Sequence, residues 1–136
     1  MHGDWVEDII RRGFDHPPGS WAYSSLASHL LAAVLVRATG MRLLEYARAR
    51  LFDPLGISTR PAVEPRLDSG PAGERAYDAA GFAWTVDPQG INTGHAHIKL
   101  TAGDLAAFGQ LMLDRGVWKG RRLVPEAWVA EATHGH

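Results

Sequence analysis

Apolar residues recur at helical spacing between residues 24 and 39. Three to four residues complete one turn of an α-helix, so apolar residues at this spacing fall on one side of it. This face consists of Leu26, Leu30, Leu31, Val34 and Leu35. Ser24 or Ser25 can accept hydrogen bonds from the first free N–H groups, and Gly40 ends the pattern. The sequence therefore predicts a central amphipathic helix over residues 24–39.

Shorter helices are predicted on both sides of this central helix. They cover residues 4–13 with Asp4 as cap, residues 43–52, residues 101–115 with a Thr101-x-x-Asp104 capping pattern, and a last segment that begins at Pro125. In the first of these helices, Trp5, Ile9 and Ile10 are expected on the inner side. Gly116 is expected to end the helix that Thr101 begins.

The remaining segments predict loops, turns and little strand. Residues 58–81 are rich in Pro, Gly and charged side chains, which predicts a long loop. Residues 82–86 alternate enough for a short strand, and residues 87–90 carry a turn signal. The segment Asn92-Thr93-Gly94 is also interpreted as a turn. The chain is thus predicted to be mostly helical, with one long loop and few strands.

Composition and charge favour a folded piece and exclude several classes of function. Hydrophobic residues make up 46% of the 136, charged residues 21%, and five residues are tryptophan, as expected of a chain with a core. The formal net charge is −1 and no dense Lys/Arg cluster occurs, so no nucleic-acid partner is expected; Arg48 and Arg50 are expected on a solvated face. The absence of cysteine excludes disulfides, a thiol nucleophile and thiolate metal sites.

No membrane segment is expected from the sequence. The longest apolar run, residues 30–36, is far too short to cross a bilayer. The first residues, Met1 to Asp4, lack the basic and apolar regions of a signal peptide. The compartment is left unassigned.

The candidate chemistry lies at the entrance of the central helix. Pro17 and Pro18 bar a helix and Gly19 permits a turn, which leaves Tyr23 at the helix start. The positive end of the helix dipole and any neighbouring ammonium would favour the phenolate over the phenol. Such a group can act as a general base. The alternative interpretation is an ordinary half-buried aromatic side chain that closes a turn.

Four short sequence motifs follow one another along the chain in an order that is typical of a protein family. They are Pro-Gly-Ser-Trp-Ala-Tyr-Ser-Ser at 18–25, Thr-Gly at 39–40, Leu-Phe-Asp-Pro-Leu-Gly at 51–56, and Leu-Thr-Ala-Gly-Asp-Leu from 100 with its continuation to 129. This order resembles the penicillin-recognising serine hydrolases, in the branch of class C β-lactamases, D-alanyl-D-alanine carboxypeptidases and related esterases and amide hydrolases. The ending, with Trp118, Gly120 and Trp128, resembles the esterase and linear-amide hydrolase members, including those acting on short nylon-type oligomers.

The resemblance implies an α+β fold of two lobes, the β-lactamase/transpeptidase-like fold. Residues 1–136 would form the central, mostly helical part of that domain, with long loops. An antiparallel sheet built from flanking N- and C-terminal segments would be the missing partner. Apolar surface would then be left uncovered, and self-association is expected.

The resemblance also implies acyl-enzyme chemistry carried by three motifs: Ser-x-x-Lys, Tyr-x-Asn, and Lys-Thr-Gly or His-Thr-Gly. Tyr23 matches the tyrosine of the second motif, and Ser25 stands where asparagine is usual. Neither Lys99 nor Lys119 lies three residues after a serine, so the first motif is absent. Asn92-Thr93-Gly94 precedes the 101–115 helix, whereas the third motif would follow it.

The expected function is therefore that of a fragment of a serine hydrolase that is inactive alone. The full-length protein would act on a small-molecule amide, ester, peptide or β-lactam without a cofactor. Tyr23 would transfer protons, and Ser25 would help to orient the lysine or the substrate.

Two alternatives remain open from the residues. A chain that lacks the nucleophile can be a non-catalytic binding or scaffold module with the same fold. His95-Ala96-His97 and His134-Gly135-His136 each place two imidazoles two residues apart, as zinc ligands on a strand sometimes are. Loop and tail histidines are the preferred interpretation, and no metal is assigned.

Overall fold

The computed structural model describes residues 3–135. These residues contain seven α-helices and five short strands, joined by turns and loops. The helices are α1 (Trp5–Arg12), α2 (Ser25–Thr39), α3 (Leu43–Ala47), α4 (Asp53–Leu55), α5 (Gly70–Ala79), α6 (Ala102–Leu113) and α7 (Glu126–Ala132), and a π-helical turn, Arg48–Phe52, joins α3 to α4. The strands are β1 (Ala62–Val63), β2 (Phe82–Trp84), β3 (Ile98–Lys99), β4 (Val117–Trp118) and β5 (Arg121–Arg122).

The ends of the long helices follow from the capping residues in the sequence. At the start of α2, the Ser24 side chain accepts a hydrogen bond from the Ala27 N–H at 3.1 Å. Gly40 ends α2 in the left-handed conformation, with φ of 67°. At the start of α6, Thr101 and Asp104 each accept a hydrogen bond from the backbone N–H of the other. These boundaries confirm the predicted caps.

The larger sheet contains three strands in the order β1-β2-β3. Strand β2 pairs in parallel with β1 and antiparallel with β3. It also carries the buried side chains Phe82 and Ala83, as expected of a central strand. The other two strands, β4 and β5, form a separate antiparallel hairpin before α7.

The hydrophobic core lies between this sheet and the helices α3, α4 and α6. Its buried members are Leu44, Phe52, Leu55, Ile57, Phe82 and Leu111. The Phe52 ring meets the rings of Phe82 and Trp84 edge to face, with centroids 6.0 Å and 6.2 Å apart. The helix predicted over 43–52 is present and continues to Leu55. The chain segments on either side of the 58–81 region are thereby packed together.

The prediction of one long loop over residues 58–81 is wrong, because this region contains β1 and α5. Pro71 lies in the first turn of α5, where a helix needs no N–H from that residue, and the following residues include good helix formers such as Ala72 and Glu74. Strand β1 is only two residues long and is defined by its pairing with β2, some 20 residues further on. Such a tertiary contact leaves no local signal.

Arg48 corrects a second expectation, because it is buried instead of solvated. Its Nε donates to the Thr59 hydroxyl at 2.9 Å, and its Nη2 donates to the Thr59 carbonyl at 2.8 Å. The Glu45 carboxylate also pairs with the guanidinium. The buried guanidinium therefore has hydrogen-bond partners in both Thr59 and Glu45. These bonds connect α3 and the π-helical turn to the segment after α4.

The predicted apolar faces are only partly covered within residues 3–135. In α1, Ile9 is buried but Ile10 is exposed, and Trp5 is half-buried. In α2, Leu31 and Val34 are exposed, while the buried residues are His29 and Ala32. Uncovered apolar surface is thus present, and self-association stays a prediction.

A helix that crosses a bilayer needs about 20 mostly apolar residues. Along residues 3–135, no single helix has both the length and the apolar character needed to cross a membrane.

Candidate functional site

The structure brings the two predicted site residues together at the start of α2. The Tyr23 hydroxyl and the Ser25 hydroxyl lie 3.2 Å apart, and either can be the donor of the hydrogen bond. Tyr23 precedes the helix and is 79% exposed, whereas Ser25 is the first residue of α2. The phenol is therefore accessible to another molecule while a serine hydroxyl holds its oxygen.

A cleft of about 390 Å³ adjoins Tyr23. The connection between α1 and α2 forms one side, with Arg12, Phe14 and His16 among its lining residues, and Leu26 contributes from α2. Ser20 closes the turn before Tyr23, because its hydroxyl donates to the Pro17 carbonyl at 2.7 Å. The volume falls in the range of small-molecule sites, and the lining is both apolar and charged.

A buried histidine and aspartate lie one helical turn further along α2. His29 Nε2 is 3.0 Å from Asp87 Oδ2, and the two side chains are 1% and 0% exposed. The other oxygen, Asp87 Oδ1, accepts from the backbone N–H groups of Gln89 and Ile91 at 2.9 Å and 2.8 Å. The residues 87–90 thus form the predicted turn, with Asp87 as its buried anchor.

The segment Asn92-Thr93-Gly94 packs against α2 and is more than a plain turn. Asn92 and Thr93 are buried, and Asn92 Oδ1 accepts from the Leu44 N–H at 3.2 Å. The Gly94 N–H points at His29 Nδ1 at 3.4 Å. A Cβ at Gly94 would overlap the carbonyl oxygen of Ser28, so only glycine fits this approach.

The rings of His29, His95 and His97 lie in a row beside the contact between Gly94 and α2. The ring centroids of His29 and His95 are 6.1 Å apart, and those of His95 and His97 are 6.4 Å apart. His95 Nδ1 is buried and has no hydrogen-bond partner among residues 3–135. Burial lowers the pKa of His95 below its usual 6.5, and a positive charge on His29 or His97 would lower it further. His95 is therefore a neutral imidazole at physiological pH.

The described residues contain no group of three or more His, Cys, Asp or Glu side chains placed to hold a metal ion. His95 and His97 lie next to each other, but no third ligand joins them within residues 3–135. Of the second predicted pair, His136 lies outside the described residues. The zinc alternative has no further support from this arrangement.

The fold is a mostly helical α+β unit, and the site places a tyrosine and a serine at the start of a helix. The chain belongs to the Beta-lactamase family, whose model matches residues 2–135. It is also similar to the 6-aminohexanoate-dimer hydrolase of Paenarthrobacter ureafaciens, with 28% identity over 132 residues. These residues are 97% of this chain and 28% of the length of that relative. The predicted family and the mostly helical α+β fold class are thereby confirmed.

Sequence reasoning did not find His29, Asp87 or Gly94. His29 was hidden in an apolar helix pattern, although a histidine four residues after Ser25 on the same helix is a signal that a site search can use. Asp87 was assigned to a turn, and its partner lies 58 residues away. Only the folded chain shows that these residues meet.

Proposed function

We propose that residues 1–136 are the central, mostly helical part of a serine hydrolase that works through an acyl-enzyme. Flanking segments would supply the Ser-x-x-Lys and the Lys-Thr-Gly or His-Thr-Gly motifs, so this chain alone would not turn over substrate. Membership of the Beta-lactamase family and the name of the hydrolase relative support this proposal. The observation that carries it is the pair of hydroxyls on Tyr23 and Ser25, 3.2 Å apart beside a cleft.

Tyr23 is the proposed proton-transfer residue. As the serine Oγ attacks the substrate carbonyl, the Tyr23 oxygen accepts the serine proton, and Tyr23 donates a proton to the leaving amine or alkoxide. Water then attacks the acyl-serine ester, and its proton returns through the same group to the serine. The exposure of Tyr23 suits this role, because the nucleophile would have to approach it from outside residues 3–135.

Ser25 is proposed to hold the phenol and to orient the lysine or the substrate. A hydroxyl can donate one hydrogen bond and accept others, whereas the asparagine usual at this position offers two amide donors. With one donor shared with the Tyr23 oxygen, Ser25 has less capacity to bind a substrate amide. This difference favours substrates that need fewer hydrogen bonds at this position than a β-lactam does.

The substrate class is an amide, ester, peptide or β-lactam, and an amide is favoured. The relative named above is a hydrolase of the 6-aminohexanoate dimer, whose two units an amide bond joins. The cleft beside Tyr23 has room for a substrate of that size and combines apolar and charged lining residues.

Replacing Tyr23 by phenylalanine in the full-length protein tests this function. We expect Tyr23→Phe to lower the acylation rate by about 10²- to 10⁴-fold, since the ring stays and only the proton-transfer group is lost. Acylation would be followed with a chromogenic ester and with 6-aminohexanoate dimer. Tyr46→Phe, on α3, is the matched control and should keep the parental rate. An unchanged rate in Tyr23→Phe would remove this residue from the mechanism.

A non-catalytic scaffold is the second candidate function. It is favoured by one observation, namely that neither lysine of the 136 residues lies three residues after a serine. Translating the genomic DNA on both sides of this coding region distinguishes the two functions. A Ser-x-x-Lys motif upstream and a Lys-Thr-Gly or His-Thr-Gly motif downstream support the hydrolase, whereas a stop codon on each side supports the scaffold.

A further inference from the structure

The hydrogen bonds around His29 fix the position of the helix that carries the candidate site. We propose that the buried His29–Asp87 pair is a positioning device, which holds the start of α2, and with it Tyr23 and Ser25, against the segment 85–97. This inference rests on the function proposed above for Tyr23. It assigns a role to two buried polar residues that do not themselves reach the substrate.

The bonds at Asp87 determine which way the histidine must face. The carboxylate accepts from three donors, which are His29 Nε2 and the backbone N–H groups of Gln89 and Ile91. An ionised carboxylate can only accept, so His29 Nε2 must carry a proton. The side chain of Asp87 is itself fixed by the two backbone bonds, and it therefore offers the histidine a rigid acceptor.

The other side of the imidazole is equally constrained. The Gly94 N–H points at His29 Nδ1, so this nitrogen must be an acceptor without a proton. His29 thus donates through Nε2 and accepts through Nδ1. Since both ring nitrogens are engaged with the 85–97 segment, rotation or sliding of α2 would break bonds at both.

The position of His29 links this anchor to the candidate site. Ser25 and His29 are four residues apart on α2, and residues at this spacing lie on the same helix face. Gly94 contacts the backbone between them at Ser28, where a Cβ would not fit. The anchor therefore acts within one helical turn of the hydrogen bond between Tyr23 and Ser25.

The hydrogen bonds of the His29–Asp87 pair have fixed directions, and an apolar residue at either position would not supply them. Apolar replacements of buried ion pairs are often as stable as the pair, so net stability is a weak reason for a buried His and Asp. Hydrogen bonds at two fixed nitrogens instead set the rotation and register of the helix. A misplacement of about 1 Å in a catalytic group can lower a rate by about 10²-fold.

Asp87→Asn is the variant that tests this device with the smallest change in shape. The asparagine oxygen can still accept from Gln89 and Ile91, but its NH₂ then faces His29 Nε2–H, donor against donor. If His29 moves its proton to Nδ1, that proton meets the Gly94 N–H instead. Either tautomer leaves one repulsive contact, and the start of α2 must shift.

The experiment is a double-mutant cycle on kcat in the full-length protein. We expect Asp87→Asn to lower kcat by up to about 10²-fold in the parent and by less than about twofold in the Tyr23→Phe background, because the loss acts through Tyr23. Thr59→Val, which removes a buried hydrogen bond to Arg48, is the control and should act equally in both backgrounds. An equal loss from Asp87→Asn in both backgrounds would overturn the positioning role.

The cycle separates the two proposals. Full activity of Tyr23→Phe would refute the proposed function, whereas parental kcat in Asp87→Asn beside an impaired Tyr23→Phe would refute only the positioning role. Nitrogen NMR of histidine-labelled chain provides a second test that needs no variant and no activity. A proton on His29 Nε2 and a bare Nδ1 are expected, and a proton on Nδ1 would contradict the arrangement.

Discussion

Asp87→Ala should be among the most destabilising single changes in this chain. The substitution removes a carboxylate that is 0% exposed and that accepts three hydrogen bonds. It leaves His29 Nε2–H buried without a partner, because nothing else is hydrogen-bonded to that nitrogen among residues 3–135. A buried donor left unpaired costs about 1–3 kcal/mol.

The other two donors lose less than His29 does. Gln89 is exposed and Ile91 is half-buried, so their N–H groups can bond to water once the carboxylate is gone. Adding a net loss of about 0.5–1.5 kcal/mol for each of these bonds gives a total of about 2–6 kcal/mol, with a middle value near 4 kcal/mol. This is a large part of the roughly 5–15 kcal/mol that stabilises a typical domain.

Urea unfolding of the 136-residue chain, followed by tryptophan fluorescence, measures this loss. With a slope near 2 kcal/mol per molar urea, the midpoint should fall by about 2 M. Asp68→Ala is the control, since that carboxylate pairs with Arg66 at the exposed surface, and it should leave the midpoint where it was. A midpoint for Asp87→Ala within about 0.3 M of the parent would show that the three bonds to this carboxylate contribute little to stability. Should Asp87→Ala not fold, Asp87→Asn, which keeps two acceptor bonds, should show a smaller shift in the same direction.

Two further predictions concern the same region. Because the folded-state pKa of His95 lies below its ordinary 6.5, the unfolded chain takes up this proton first as the pH falls. The free energy of unfolding that His95 contributes above about pH 6.5 should therefore decline as the pH falls through the folded pKa of His95. In His95→Gln, the urea midpoints measured across the same pH range should fall less steeply. An equally steep fall in His95→Gln would contradict the lowered pKa. Gly94→Ala should destabilise the chain by about 1–3 kcal/mol, because its Cβ would overlap the Ser28 carbonyl oxygen, whereas Gly109→Ala in α6 meets no neighbouring atom and should not; equal midpoints for the two variants would show that the approach at Gly94 is looser than described.

Local signals in the sequence were sufficient for α2 with both of its ends and for the start of α6, but not for α5. Ser24, Gly40 and the pair Thr101–Asp104 act within three or four residues of their own positions, so their roles can be inferred without the fold. Tyr23 and Ser25 are likewise close in the sequence, and their hydroxyls lie 3.2 Å apart, while their catalytic roles stay a prediction.

Features that depend on distant partners could not be obtained in this way. Arg48 carries a charge that is usually solvated, yet it is buried because Thr59 and Glu45 partner it. Strand β1 exists because β2 lies beside it. The apolar spacing of α2 predicted a helix correctly, but it did not reveal that His29 would be among the residues buried, since its partner Asp87 follows 58 residues later.

Tyr23 is proposed to transfer protons in the acyl-enzyme chemistry of the full-length protein. Time-resolved intact mass spectrometry of the full-length protein with a slowly hydrolysed ester tests it most directly. We expect the mass of one acyl group to be added rapidly in the parent and in Tyr46→Phe, and about 10²- to 10⁴-fold more slowly in Tyr23→Phe. Absence of any acyl adduct, or equal rates in Tyr23→Phe and the parent, would contradict it.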